Sequence, residues 1–183
     1  MPEGVNAIVL CEDLQAWVFA RRALLKLGYD ARRIRVIQYP RDGRGGAGEQ
    51  HVRERYPDEL KAYRSRAARM KMALIVHVDA DTITVRDRLE ALERELRQRD
   101  VAPRAQDEAV ALLVPKRNIE TWIHFFLGGG PVNEETVYPK FDEHESDTWP
   151  AAEAFAAHAR AGSAPAGAPP SLMNGLIEAR RIV

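Results

Sequence analysis

Acidic side chains follow the apolar segments of this 183-residue sequence at several points. Glu12 follows the first such segment, and Asp79 and Asp81 follow a later one. Glu120 opens the stretch beyond the last of them. Grouped carboxylates repel one another unless a cation neutralises them, and oxygen-rich sites suit Mg²⁺ or Mn²⁺. These four residues therefore predict a divalent-metal site, provided that the fold brings them together.

Alternating apolar and amphipathic segments predict the elements that position these carboxylates. The predicted strands span residues 7–11, 34–39, 73–78 and 109–114. The predicted helices span residues 14–28, 51–69, 85–99 and 119–127, and Pro57 predicts a kink or a break in the second. This order indicates an α/β fold with a four-stranded parallel sheet and helices on both faces. Ligands of such sheets gather at the carboxyl ends of the strands, where the acidic residues lie.

The rest of the chain is expected to extend the same domain. Residues 1–130 form the predicted α/β domain, and residues 131–183 contain an acidic irregular segment, a Pro/Gly-rich linker and a C-terminal helix that pack on it. The apolar runs are too short to span a bilayer, and no signal pattern opens the chain, which predicts a cytoplasmic protein. A single cysteine, Cys11, excludes an internal disulfide and a cysteine zinc cluster.

Charge is distributed unevenly although the formal net charge is zero. Fourteen Lys and Arg face six Asp and Glu between Arg21 and Arg69, whereas seven acids and one lysine lie between Glu134 and Glu153. Basic patches attract polyanions, although such runs are often only solvated surface. The side chains predicted to contact nucleic acid, DNA or RNA, are Arg41, Arg44, Arg53, Lys116 and Arg117.

The acidic residues carry a family resemblance. A strand that ends in Glu12, an amphipathic helix, two more strands and the pair Asp79-x-Asp81 resemble the Toprim domain of topoisomerases, primases and OLD-family nucleases. The stretch RNIETW around Glu120 is similar to small stand-alone Toprim-like proteins of bacterial defence. The resemblance implies that Asp79 and Asp81 bind Mg²⁺, and that Glu12 is a further ligand or the general acid–base. Asp13 stands where the family commonly has glycine.

The function expected from these observations is a Mg²⁺-dependent nuclease, or a related phosphoryl-transfer enzyme, in bacterial phage defence. Glu12 and Glu120 are its candidate catalytic residues, although Glu120 equally fits a first-turn acid facing a helix dipole. The alternative is a non-catalytic regulatory or effector subunit beside an ATPase partner. Either carboxylate of the pair could instead cap the helix that begins near Thr84.

Two further motifs fit less well. Gly43-x-Gly45-x-x-Gly48 matches the dinucleotide fingerprint, but it follows the second strand and no acid ends a strand at the required distance. A receiver-like phospho-acceptor domain would use Asp79 and Lys116, yet its acid pair should end the first strand. Neither motif displaces the metal-site hypothesis.

Overall fold

A computed structural model describes residues 6–40, 47–128 and 130–183. Its strands form a single four-stranded sheet in the order β2-β1-β3-β4, and every neighbouring pair is parallel. The strands are β1 (Asn6–Cys11), β2 (Ile34–Val36), β3 (Met72–His77) and β4 (Val110–Leu113). The predicted α/β class with a four-stranded parallel sheet is confirmed.

Six helices surround the sheet in the described ranges. They are α1 (Leu14–Lys26), α2 (Ala47–Ala67), α3 (Val85–Gln98), α4 (Ile119–Gly128), α5 (Trp149–Ala161) and α6 (Pro170–Ala179). Alternate residues of β1 enter two separate cores: Ala7 and Val9 pack with α1, α4, α5 and α6, whereas Ile8 and Leu10 pack with α2 and α3. Helices therefore lie on both faces of the sheet, which explains why β1 and β3 are almost entirely apolar.

Two elements differ from their predicted form. β2 ends at Val36 instead of Tyr39, because an edge strand is held by one neighbour and its pairing with β1 stops there, apart from one more bond from the Ile37 N–H to the Val9 carbonyl. α2 runs through Pro57 as one helix. The proline ring is buried, so packing of this helix against the sheet outweighs the backbone hydrogen bond that Pro57 cannot make.

The C-terminal helices complete one of the two cores. Phe155 of α5 stacks on Trp122 of α4 with ring centroids 5.7 Å apart, and the indole N–H of Trp122 donates to the Ser171 hydroxyl over 2.8 Å. α6 packs beside β4, where the Leu112 N–H donates to the Glu178 carboxylate over 2.9 Å. Side chains of α6 thus cover the outer edge of the sheet. No helix in the described ranges has the length and apolar character needed to cross a membrane.

Candidate metal centre at the carboxyl end of the sheet

The ends of β1 and β3 bring Glu12 and Asp79 together. The two strands pair in register up to Cys11 and His77, so the chains leave the sheet side by side. The backbone N–H of Asp79 donates a hydrogen bond to Glu12 Oε1 over 2.7 Å. Two of the predicted site residues are therefore in direct contact at the edge where the sequence placed them.

The carboxyl group of Asp79 lacks a partner. Its Oδ1 atom is buried and has no hydrogen-bond partner among the described residues. Burial raises the pKa of Asp79 well above its ordinary value, and the charges of Glu12, Asp13, Glu120 and Asp81 raise it further. An ionised carboxylate in this position is costly unless a cation or a proton compensates it.

Glu12 and Glu120 are buried acids whose pKa values lie close to neutrality. Burial raises the pKa of Glu12 to about 8, against the hydrogen bond from the Asp79 N–H. Burial likewise raises the pKa of Glu120 to about 7, while a hydrogen bond from its own backbone N–H lowers it. Glu120 is only 2% exposed and follows directly on the first residue of α4, so it combines the two roles expected from the sequence, a buried site acid and a first-turn acid.

Asp81 faces away from this pair. The spacing predicts that Asp79 and Asp81 share one side of the chain, but Asp81 has a left-handed backbone (φ 55°), which ends the alternation of a strand. Its side chain is 57% exposed, and its Oδ2 atom lies 3.6 Å from the Arg88 guanidinium. Asp81 therefore lies at the rim of the site, while Asp79 lies in its interior.

Helix capping does not account for the Asp79-x-Asp81 pair. Thr84 caps α3, because its side chain accepts a hydrogen bond from the Asp87 N–H and the Asp87 carboxylate accepts one from the Thr84 N–H. Asp13 caps α1 by accepting from the Ala16 N–H over 2.9 Å. The capping interpretation therefore applies to Asp13 and not to the later pair.

Arg88 is a site residue that the sequence interpretation missed. It is 8% exposed, its Nε atom donates to the Asp79 carbonyl over 2.8 Å, and its Nη1 atom lies 2.6 Å from Glu49. One signal was available in the sequence. Arg88 lies three residues after Val85 and four before Leu92, on the apolar face of its helix, where an arginine requires buried partners.

The first turn of α2 lies directly against Glu12. A Cβ atom at Gly48 would be 2.9 Å from the Glu12 Cβ and 3.0 Å from the Glu12 carbonyl oxygen. Glycine is thus required here for close approach, and the formal dinucleotide fingerprint has a packing explanation at its last glycine. This approach also brings Glu49 to Arg88 and links α2 to α3 at the site.

The predicted nucleic-acid contacts have different surroundings. Arg53 forms ion pairs with both Glu49 and Glu95, at 3.1 and 2.9 Å. Lys116 lies 3.1 Å from Glu135, and Arg117 donates over 3.4 Å to the Asp81 carbonyl. Arg41 and Arg44 lie outside the described residues.

Lys140 belongs to the acidic segment and was not predicted at the site. Its charge lowers the pKa of Asp81 and of Glu120, which indicates that it lies near both. Sequence position alone carried no sign of this, because Lys140 is surrounded by acids and has no helical or strand pattern. The segment from 134 to 153 therefore contributes a cation to the carboxylate edge.

The carboxylates fit a hard cation bound through few protein ligands. The buried, unpartnered Asp79 Oδ1 is an atom that a cation would satisfy, and Mg²⁺ commonly takes one or two carboxylates and keeps several waters. In the described part of the chain, however, no three acidic, histidine or cysteine residues gather closely enough to hold a metal together. The residues therefore fit a Mg²⁺ or Mn²⁺ ion held by Asp79 with Glu12, and Asp81 is not part of the group.

Comparison with known proteins adds no relative to this picture. No protein-family model, no curated protein and no solved structure matches this chain.

Proposed function

We propose that this protein is a Mg²⁺- or Mn²⁺-dependent nuclease of the Toprim type, or a related phosphoryl-transfer enzyme, that acts on nucleic acid. The observation that carries the proposal is the buried, unpartnered Asp79 carboxylate beside Glu12. A purely structural site would gain stability from an amide or an apolar side chain at that position, so the acid there favours a ligand. A cytoplasmic location and a role in bacterial phage defence belong to the same proposal.

Each acidic residue has a distinct part in the proposed chemistry. Asp79 and Glu12 would hold the cation, which when bound supplies positive charge to a phosphate and lowers the pKa of water. Glu120 has a pKa of about 7 and therefore exchanges a proton readily near neutral pH, as a general acid–base must. Arg88 holds the Asp79 carbonyl and so fixes the backbone on which the site is built.

Cations at the rim would receive the substrate. Arg117 and Lys140 influence the pKa of Asp81 from two different segments, so both bring positive charge to the entrance of the site. Lys116 follows β4 at the same edge and would exchange its pairing with Glu135 for a phosphate. Arg53 is occupied by two carboxylates, which leaves it a weaker candidate for phosphate contact than the sequence suggested.

Cleavage assays on the Asp79→Asn variant test the proposal. Single- and double-stranded DNA and RNA are incubated with the protein and Mg²⁺ or Mn²⁺, with Asp100→Asn as a matched control at an exposed aspartate. We expect the control to cleave as the wild type does, and Asp79→Asn to lose at least about a hundredfold in rate while it remains folded. Wild-type rates in Asp79→Asn, or no metal-dependent cleavage by the wild type, would contradict the proposal.

A regulatory subunit beside an ATPase partner is the second candidate function. It is favoured by the absence of a three-residue ligand group in the described ranges and by Arg88, which already brings positive charge to Glu49 and Asp81. Calorimetric titration with Mg²⁺ separates the two candidates. Heat of binding that disappears in Asp79→Asn favours the enzyme, and the lack of any heat in the wild type favours the regulatory subunit.

A further inference from the structure

Four arginines surround a cavity at the amino end of the sheet, opposite the carboxylates. Arg32 and Arg33 come from a short 3-10 turn before β2, Arg35 from β2 itself, and Arg66 from the last turn of α2. The cavity has a volume of about 290 Å³. This volume is close to the lower end of small-molecule sites, roughly 300 Å³. We call it the arginine cavity.

The positive charge of the arginine cavity is not neutralised by the residues that line it. None of them is acidic, and no ion pair of these four arginines occurs in the parts of the chain described above. Asp30, the acid nearest in sequence, accepts a hydrogen bond from the Arg32 backbone N–H and caps the turn. Many other arginines of this chain, such as Arg64 and Arg104, are paired with glutamates.

The floor of the arginine cavity is apolar. Ile8 of β1 pairs in register with Arg35, so both side chains project from the same face of the sheet, and Met70 and Met72 lie beside them. Guanidinium groups bind phosphate through paired N–H donors, and an apolar floor accepts a ring or a sugar face. Guanidinium walls over an apolar floor therefore suit a ligand that has both a phosphate and a flat apolar part.

We infer that the arginine cavity binds a nucleotide through its phosphate, either a free nucleotide or one unit of a single-stranded nucleic acid. The cavity lies at the start of β1 and the carboxylates at its end, roughly 16 Å of strand away. The inference therefore does not depend on the proposed metal chemistry. It also assigns to one compact site part of the basic excess between Arg21 and Arg69.

Binding measurements without divalent metal test this inference. A fluorescein-labelled single-stranded oligonucleotide is titrated with the protein in EDTA, and inorganic phosphate and unlabelled mononucleotides serve as competitors. The double variant Arg35→Gln/Arg66→Gln removes one guanidinium from the sheet and one from α2. Arg97→Gln is the matched control, because it removes the same charge from an exposed site on α3.

We expect the double variant to bind at least roughly tenfold more weakly, and the slope of log K against log salt to fall by about 2, one for each lost phosphate contact. Arg97→Gln should bind as the wild type does. Competition by mononucleotides identifies a free nucleotide as the ligand, whereas competition by oligonucleotides alone identifies a strand. If Arg35→Gln/Arg66→Gln unfolds, Arg32→Gln/Arg33→Gln replaces it.

Two results would overturn the inference. One is a wild-type protein that binds neither mononucleotides nor oligonucleotides in EDTA, and the other is a folded double variant that binds as tightly as Arg97→Gln. Loss of metal-dependent cleavage in Asp79→Asn has no bearing on either result, so this inference and the proposed function fail separately.

Discussion

At the scale of single residues, the site combines buried acids with one buried arginine. The positions of Glu12, Asp79 and Glu120 could be predicted, because carboxyl ends of parallel strands meet at one edge. The outward turn of Asp81 could not, since it depends on a left-handed backbone that no local pattern announces. The contact of Arg88 with Glu49 joins residues 39 positions apart and forms only when α2 and α3 pack together.

The buried Glu12 predicts a distinctive dependence of stability on pH. Its pKa is about 8 in the folded protein against an ordinary 4.5, so above pH 4.5 the folded state retains a proton that the unfolded chain releases. Without divalent metal, this group's contribution to the free energy of unfolding should fall between pH 4.5 and pH 8. The slope is up to about 1.4 kcal/mol per pH unit.

The comparison of wild type with Glu12→Gln in urea, with EDTA present, isolates this effect. The comparison is needed because burial lowers the pKa of His77 to about 3, which gives a pH dependence of opposite sign at acidic pH. We expect the wild type to lose stability relative to Glu12→Gln as the pH rises, whereas Glu93→Gln, an exposed control on α3, should parallel the wild type. Parallel curves for wild type and Glu12→Gln would contradict the assigned pKa.

At the scale of elements, close approaches between helices and strands hold the site in place. Alternation of strands and helices was predictable because buried parallel strands are continuously apolar. The length of β2 and the passage of α2 through Pro57 were not, since both are decided by tertiary packing instead of local propensity. α6 packs on α4 at Gly175, where an added Cβ would lie 2.3 Å from the Trp122 ring.

Gly175→Ala should therefore destabilise the protein although alanine is the better helix former. We expect a loss of about 1–3 kcal/mol, because Trp122 is fully buried between α5 and α6 and cannot move without displacing Phe155. Gly128→Ala is the matched control, since nothing lies within 4 Å of its added Cβ. Urea unfolding of the two variants measures the difference, and equal stability of both would mean that α6 does not pack tightly on α4.

At the scale of the whole molecule, the two ends of the sheet have opposite character. Carboxylates with raised pKa values cluster at the carboxyl ends of the strands, and unpaired arginines surround a cavity at the amino ends. The sequence indicated a basic region and an acidic one, but not that the sheet itself would separate them. Its acidic segment also supplies Lys140 to the carboxylate edge, so linear charge runs only partly describe the folded surface.

The most direct test of the proposed metal centre is anomalous scattering from crystals soaked in Mn²⁺. The account predicts an anomalous peak at the Asp79 carboxylate, shared with Glu12, together with a loss of the peak in crystals of Asp79→Asn. Arg88 and the folded core should be unchanged in that variant, which keeps the comparison local. A peak that persists in Asp79→Asn, or Mn²⁺ bound only elsewhere on the protein, would contradict the central claim.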